Sequence, residues 1–239
     1  MPRQRSKRYR QAAERVQKKA TYTLDQAIGV LQQMPAVKFD EAVALSAVLS
    51  IDPKKTDQVV RGTVTLPHGT GSTRRVAVFC KGEQELQAKE AGAEYVGGAE
   101  LIEKVAGGWL DFDVAVATPD MMRDVSKLGK ILGPRGMMPN PKAGTVTDDV
   151  AKAITDVKRG KVEFKMDKLA NIHFPIGKRS FEPRQLVENG QAALEAIVRA
   201  RPATVKGRLL ERVVLSSTMS PGIPLKIEGL EADTAEQEA

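Results

Sequence analysis

Glycine, proline and cations crowd into residues 128–146, LGKILGPRGMMPNPKAGTV, a composition that raises phosphate chemistry first. A Walker loop needs Gly-x-x-x-x-Gly-Lys-Ser/Thr, so that backbone N–H groups, a lysine and a Mg²⁺-binding hydroxyl all reach the phosphates. Counted from Gly129, the Lys and Ser/Thr positions hold Arg135 and Gly136; counted from Gly133 or Gly136, the second glycine position holds Met138 or Pro141. All three registers fail. A dinucleotide fingerprint fails as well, because Gly69-x-Gly71 has Arg74 at the third glycine position and precedes a strand. The glycines and prolines of 128–146 therefore read as a tight turn between helices, with Lys130, Arg135 and Lys142 left for phosphate contact.

Other reactive residues are sparse. The chain has one cysteine, Cys80, and two histidines, His68 and His173, too few for a structural zinc set and too few for an intramolecular disulfide. Cys80 ends an apolar run and reads as core, which fits a reducing cytosol. His68 lies among Pro and Gly in PHGTGSTR and reads as part of a hinge. His173 falls on the polar side of a strand. There is no Gly-x-Ser-x-Gly elbow and no His-Glu-x-x-His pair. No enzyme activity and no cofactor are expected.

The elements around these residues follow from periodicity. Thr23 and Gln26 form a capping box ahead of a helical stripe, Leu24, Ala27, Ile28, Leu31 and Met34, which Pro35 ends. Val43 to Ile51 alternates as a one-faced strand, and Val60 to Leu66 as a second, with antiparallel pairing expected between them. RVAVFC and FDVAVA are apolar on both faces, as in a covered parallel sheet, and helical runs separate them. Thr118-Pro119 opens a helix with Met122, Val125, Leu128 and Leu132 inward, and Thr147 is expected to cap the next one. Strands over Val162–Met166 and Ile172–Ile176 read as a hairpin, before a long helix from Pro183 and a strand over about 208–217. The fold class is α/β: a discontinuous two-layer domain, residues 1–67 plus 161–227, with a Rossmann-like domain, 68–160, inserted in it. Gly69, Gly71 and Gly160 are the expected hinge glycines.

Charge points to a polyanionic partner. The net charge is +7, and residues 1–19 alone carry eight Lys/Arg against one Glu. The last twelve residues, EGLEADTAEQEA, carry five acids and no base, and 228–239 reads as a disordered acidic tail. A basic arm beside a moderately basic body favours nucleic-acid phosphates. No apolar run nears a membrane span, and no apolar core follows the basic N-terminus as in a secretory signal.

The stretch 127–140, KLGKILGPRGMMPN, resembles the signature of the bacterial large-subunit ribosomal protein L-one family. The resemblance extends to AVKFDEAVALSAVLSIDPKKTDQVVRGTVTLPHGTG, NIHFPIGKRSF and VVLSSTMSPG, in order, over roughly residues 15–227. It implies a two-domain ribosomal stalk protein, cytoplasmic and monomeric within the ribosome. Its implied partners are large-subunit rRNA, exit-site tRNA and the mRNA of its own operon. Carried over by motif, the implied RNA-binding residues are Lys38 and Phe39 in VKFDE, His173, Lys178 and Ser180 in NIHFPIGKRS, and Thr218, Met219 and Ser220 in STMSPG. On chemistry alone Phe39 reads equally as a core anchor, and Lys38 and Lys178 as solvated charges. The family usually has Gly after Thr-Met; Ser220 stands there instead, where a close backbone approach or a positive φ would call for Gly. A nucleotide-binding enzyme using the inserted domain and a DNA-binding regulator are the competing classes.

Overall fold

The computed structural model describes residues 5–17, 20–202, 204–205 and 207–227. In chain order the helices are α1 (Lys7–Glu14), α2 (Leu24–Gln33), α3 (Glu83–Glu90), α4 (Ala99–Ala106), α5 (Met122–Val125), α6 (Gly129–Leu132), α7 (Val150–Lys158) and α8 (Pro183–Arg199). The strands are β1 (Ala42–Leu49), β2 (Arg61–Thr65), β3 (Val76–Phe79), β4 (Tyr95–Gly97), β5 (Val114–Ala117), β6 (Lys161–Lys165), β7 (Asn171–Lys178), β8 (Leu210–Ser217) and β9 (Ile223–Pro224). They form an α/β fold of two compact units, one containing the chain up to Gly71 and from Val162 onward, the other Ser72–Lys161. The expected acidic tail, 228–239, lies outside the described residues, as do parts of the basic arm.

The first unit is a sheet of order β7-β1-β8-β9 with α2 and α8 on its inner face. Strand β1 runs antiparallel to both β7 and β8. Its odd-numbered residues Val43, Leu45, Ala47 and Leu49 are buried, and they join Ile172, Phe174 and Ile176 of β7 and Val213 and Leu215 of β8 in one core. The capping box of Thr23 and Gln26 is formed and starts α2 where the sequence places it. The long helix α8 starts at Pro183, whose missing N–H is no loss in the first turn.

Pairing departs from the sequence expectation at two places. Strand β2 does not pair with β1, because β7 and β8 already occupy both edges of β1. It forms a separate two-stranded sheet with β6, so β6 and β7 are not a hairpin. The connection after β6 turns sharply: the Asp167 carboxylate accepts from the N–H groups of Asn171 and Leu169, both at 2.8 Å, and Ala170 takes a φ of 60°. Those bonds, the one from Asn171 foremost, hold the Asp167 carboxyl below its ordinary value.

The boundary of the insertion also moves. Residues 68–71 belong to the first unit because α8 holds them. The His68 N–H donates to Asn189 Oδ1 at 3.0 Å, and Asn189 Nδ2 donates to the carbonyls of Gly69 (2.9 Å) and Ile176 (2.7 Å). His68 Nε2 lies 2.5 Å from Glu188 Oε2. Gly71, at φ 70°, packs so closely that a Cβ there would sit 2.8 Å from the Phe181 ring.

The second unit has a parallel sheet of order β4-β3-β5. Strand β3 sends Ala77 and Phe79 into one core with α4 and the 121–132 segment, and Val76 and Val78 into another with α3 and α7. This double covering is why RVAVFC is apolar at every central position. The helix expected from Thr118 is instead a chain of short 3₁₀ and α turns, and its inward residue is Met121 rather than Met122. Asp149, not Thr147, caps α7: its carboxylate accepts from the Lys152 N–H at 3.1 Å, while Thr147 Oγ1 accepts from the Asp149 N–H.

Cys80 is fully buried at the end of β3, and burial pushes its thiol up to about 11. The thiolate is the reactive form. A disulfide reagent at pH 8 is therefore expected to label Cys80 slowly in the native protein and quickly in urea; equal rates would contradict this burial.

Candidate nucleic-acid interface

Antiparallel pairing brings the start of β1 and the ends of β7 and β8 to one end of the sheet, where Ala42 faces Lys178 and Val43 faces Ser217. Three segments meet there: 34–41, 178–181 and 217–221. The fold thus gathers Lys38, Phe39, Lys178, Ser180, Thr218, Met219 and Ser220, drawn from three distant motifs.

A buried ion pair organises them. Glu41 is only 1% exposed, and its Oε2 lies 2.7 Å from Arg179 Nη1. The same guanidinium donates to the carbonyls of Gln32 (3.3 Å), Met34 and Pro35 (3.4 Å), which lie in and just after the last turn of α2. A cation is favourable at a helix C-terminus, where carbonyls lack intrahelical partners. The second Glu41 oxygen, Oε1, accepts from the Met219 N–H at 3.0 Å. One carboxylate therefore joins all three segments. Asp40 makes a parallel link, accepting from the Ser180 N–H (3.1 Å) and the Ser180 hydroxyl (2.7 Å).

The loop after β8 is shaped by its own hydroxyls. Thr218 exchanges bonds with Ala42: its N–H donates to the Ala42 carbonyl (3.1 Å), and its Oγ1 accepts from the Ala42 N–H (3.2 Å). Ser220 Oγ accepts from the Ser217 N–H at 2.8 Å and donates to the Pro221 carbonyl at 3.0 Å. Among the described residues Ala170 is the only non-glycine at positive φ, so Ser220 needs no glycine-like conformation. These bonds leave the side chain of Met219 displayed at 48% exposure and that of Phe39 at 53%. Phe39 is not a core anchor. Lys38 is exposed beside it, and Lys178 is half-buried.

His173 lies apart from this end, on the outer face of the sheet. Its Nδ1 is 2.9 Å from Ser46 Oγ, and Ser46 faces both His173 and Val214. The neighbouring outward positions are Ala44, Pro175 and Ser216 on one side, and Val48, Asn171 and Arg212 on the other. Small and polar side chains make this face shallow and let a polymer approach the strands closely. Glu41, Arg179, Asp40, Ser46 and Arg212 were not singled out by sequence. The outward alternation of β1 would have exposed Ser46, but nothing local links Glu41 with Arg179.

The remaining glycines serve the backbone. Gly160, at φ 100°, ends α7 with its N–H on the Val157 carbonyl at 3.2 Å. A Cβ at Gly133 would fall 2.6 Å from the Gly129 carbonyl oxygen, and Gly136 and Gly144 adopt positive φ. The 128–146 stretch is thus a sequence of tight turns, with Lys130 and Arg135 exposed on it. Among the described residues no group of three His, Cys, Asp or Glu could hold a metal, and no helix is long and apolar enough to cross a membrane.

Residues 31–221 match the Ribosomal protein L1p/L10e family. The chain is 55% identical over 221 residues to the large ribosomal subunit protein uL1 of Kosmotoga olearia, covering 92% of this chain and 96% of that protein. It is 57% identical over 220 residues to the protein of the same name from Nocardioides sp., covering 92% of each. For Protochlamydia amoebophila the identity is 54% over 234 residues and 98% of each chain.

Proposed function

The chain belongs to the ribosomal protein L1p/L10e family, and from that membership we propose that it is a non-enzymatic protein of the large ribosomal subunit that holds rRNA on the end and outer face of the β7-β1-β8 sheet. The observation carrying this reading is the convergence of Lys38, Phe39, Lys178, Ser180, Thr218, Met219 and Ser220 on one buried Glu41–Arg179 pair. Lysines supply phosphate charge, while Met219 and Phe39 offer apolar contact to a sugar or base. His173 and Ser46 supply polar groups along the face for ribose hydroxyls. The hydroxyls of Thr218 and Ser220 act mainly by shaping the backbone beneath Met219.

On the strength of the family resemblance we read its position as the mobile stalk near the exit site, and its role there as assisting release of deacylated tRNA. The resemblance also implies repression of its own operon by binding an mRNA site built like the rRNA site. One surface would then serve both RNAs, so rRNA and mRNA should compete. Movement of the inserted unit is assigned to the linkers. Because α8 and Phe181 hold Gly69 and Gly71, we place the first pivot at 72–73 and the second at Gly160–Lys161.

The test is RNA binding across a salt series. A structured large-subunit rRNA fragment should bind with log K falling linearly in log salt, as phosphate counterions are released. Met219→Ala should weaken it by about fivefold or more, in line with an exposed apolar anchor, with unfolding unchanged. Unchanged affinity in that variant, or equal binding of duplex DNA, would overturn the reading.

A further inference from the structure

Helix α1 sits beside the Met219 loop. Arg8 Nη2 donates to the Met219 carbonyl at 2.9 Å, and Arg15 donates to the Gln33 carbonyl at the end of α2. Ala12 and Val16 are the buried side chains of this segment, so the helix is attached by a narrow stripe. Arg5, just before the helix, and Lys7 and Arg10 on it are exposed, and among the described residues no carboxylate pairs with them.

Between α1 and the chain that follows the Met219 loop lies an open cleft of about 520 Å³. Its walls include Arg5, Tyr9, Arg10, Val16, Pro221 and Pro224. The Arg5 guanidinium lies over the Tyr9 ring, 4.4 Å from its centre. The volume falls in the range of about 300–1,000 Å³ typical of small-ligand sites. The lining combines a planar aromatic and guanidinium surface, an apolar floor and two cations at the rim. Unstacked bases are held on such surfaces, with arginines reaching the adjoining phosphates.

We propose that this cleft receives one unstacked nucleotide of the RNA that lies on the Thr218–Ser220 loop. The proposal rests on the reading of that loop as an RNA contact. The Arg8 bond to the Met219 carbonyl makes the two continuous: RNA crossing Met219 meets α1 next. Tyr9 and Arg5 hold the base, and Arg5 and Arg10 face its flanking phosphates.

The experiment compares the full-length protein with Tyr9→Leu, with the double variant R5Q/R10Q and with Met219→Ala, on the same structured rRNA fragment. Tyr9→Leu is expected to lose about fivefold to a hundredfold in affinity, the usual effect of removing one base-stacking side chain, with an unchanged salt slope. The double variant is expected to reduce the steepness of log K against log salt by about 1–2, one step per lost phosphate contact. Because Arg5 and Arg10 are exposed, this arm reads the cleft even if Tyr9→Leu loosens α1. Wild-type affinity and slope in both cleft variants, with Met219→Ala weakened, would overturn the cleft while leaving the loop reading intact. Wild-type behaviour in all three would remove both.

Discussion

Glu41→Ala is expected to lower the stability of the first unit by about 3–5 kcal/mol, the usual cost of breaking one side of a buried ion pair. The arithmetic favours a large value here because Glu41 is 1% exposed and Arg179 15%. Removing the carboxylate leaves the guanidinium without its counter-charge and the Met219 N–H without its acceptor. The carbonyls of Gln32, Met34 and Pro35 still receive the guanidinium, so the fold survives while the link between the three segments is lost. RNA affinity should fall along with stability, because Met219 is no longer held out from the loop. Glu163→Gln is the contrast: its pair with Arg61 is partly exposed, and such pairs contribute about 0–1 kcal/mol. Trp109, the only tryptophan, lies in the second unit. Urea unfolding followed by circular dichroism should therefore shift while the tryptophan fluorescence transition stays in place. A loss below about 1 kcal/mol for Glu41→Ala would contradict the account of this junction.

Asn189→Leu is the second large expectation. The shapes are similar, so packing is kept while three bonds vanish. The His68 N–H and the carbonyls of Gly69 and Ile176 lose their partner on a residue that is fully buried. Each orphaned buried group costs about 1–3 kcal/mol. The first two are only part-buried, so water recovers some of the loss, and a total of about 3–5 kcal/mol is expected. The same change frees the chain before the first pivot. Hydrogen exchange should report this directly, with the His68 amide and its neighbours exchanging faster than in wild type. Unchanged protection at His68 would mean that Asn189 does not hold the linker.

What the sequence made legible tracks what is local. The capping box at Thr23, the alternation of Val43 to Leu49 and the two-faced burial of RVAVFC depend on neighbours a few residues apart, and all three appear in the structure. In the first unit β1 pairs with strands more than a hundred residues further along the chain, and there local reading failed. Val60 to Leu66 has the alternation of a strand, but its partner is β6, not the adjacent β1. The candidate interface divides in the same way. Its displayed residues came from motifs that resemble a family, whereas Glu41 and Arg179 sit inside those motifs without any sign that they meet. Phe39 is instructive: its type fits a core equally well, and only the bonds that fix residues 40 and 41 beneath it leave its ring in solvent.

The central position of β1 bears on how the protein is made. Both of its hydrogen-bonding edges are closed by strands that come after the inserted unit in the chain. A nascent chain therefore carries residues 42–49, AVALSAVL, unpaired until β7 and then β8 leave the ribosome. At about 5–20 residues per second this interval lasts on the order of 10 seconds. The second unit is completed within it, since its strands come from one continuous segment, Ser72–Lys161. Synthesis thus finishes the inserted piece first and leaves an apolar strand waiting, the state in which edge-to-edge association is most dangerous. A protein read as part of the ribosome depends, in its own assembly, on the pace of the ribosome that makes it.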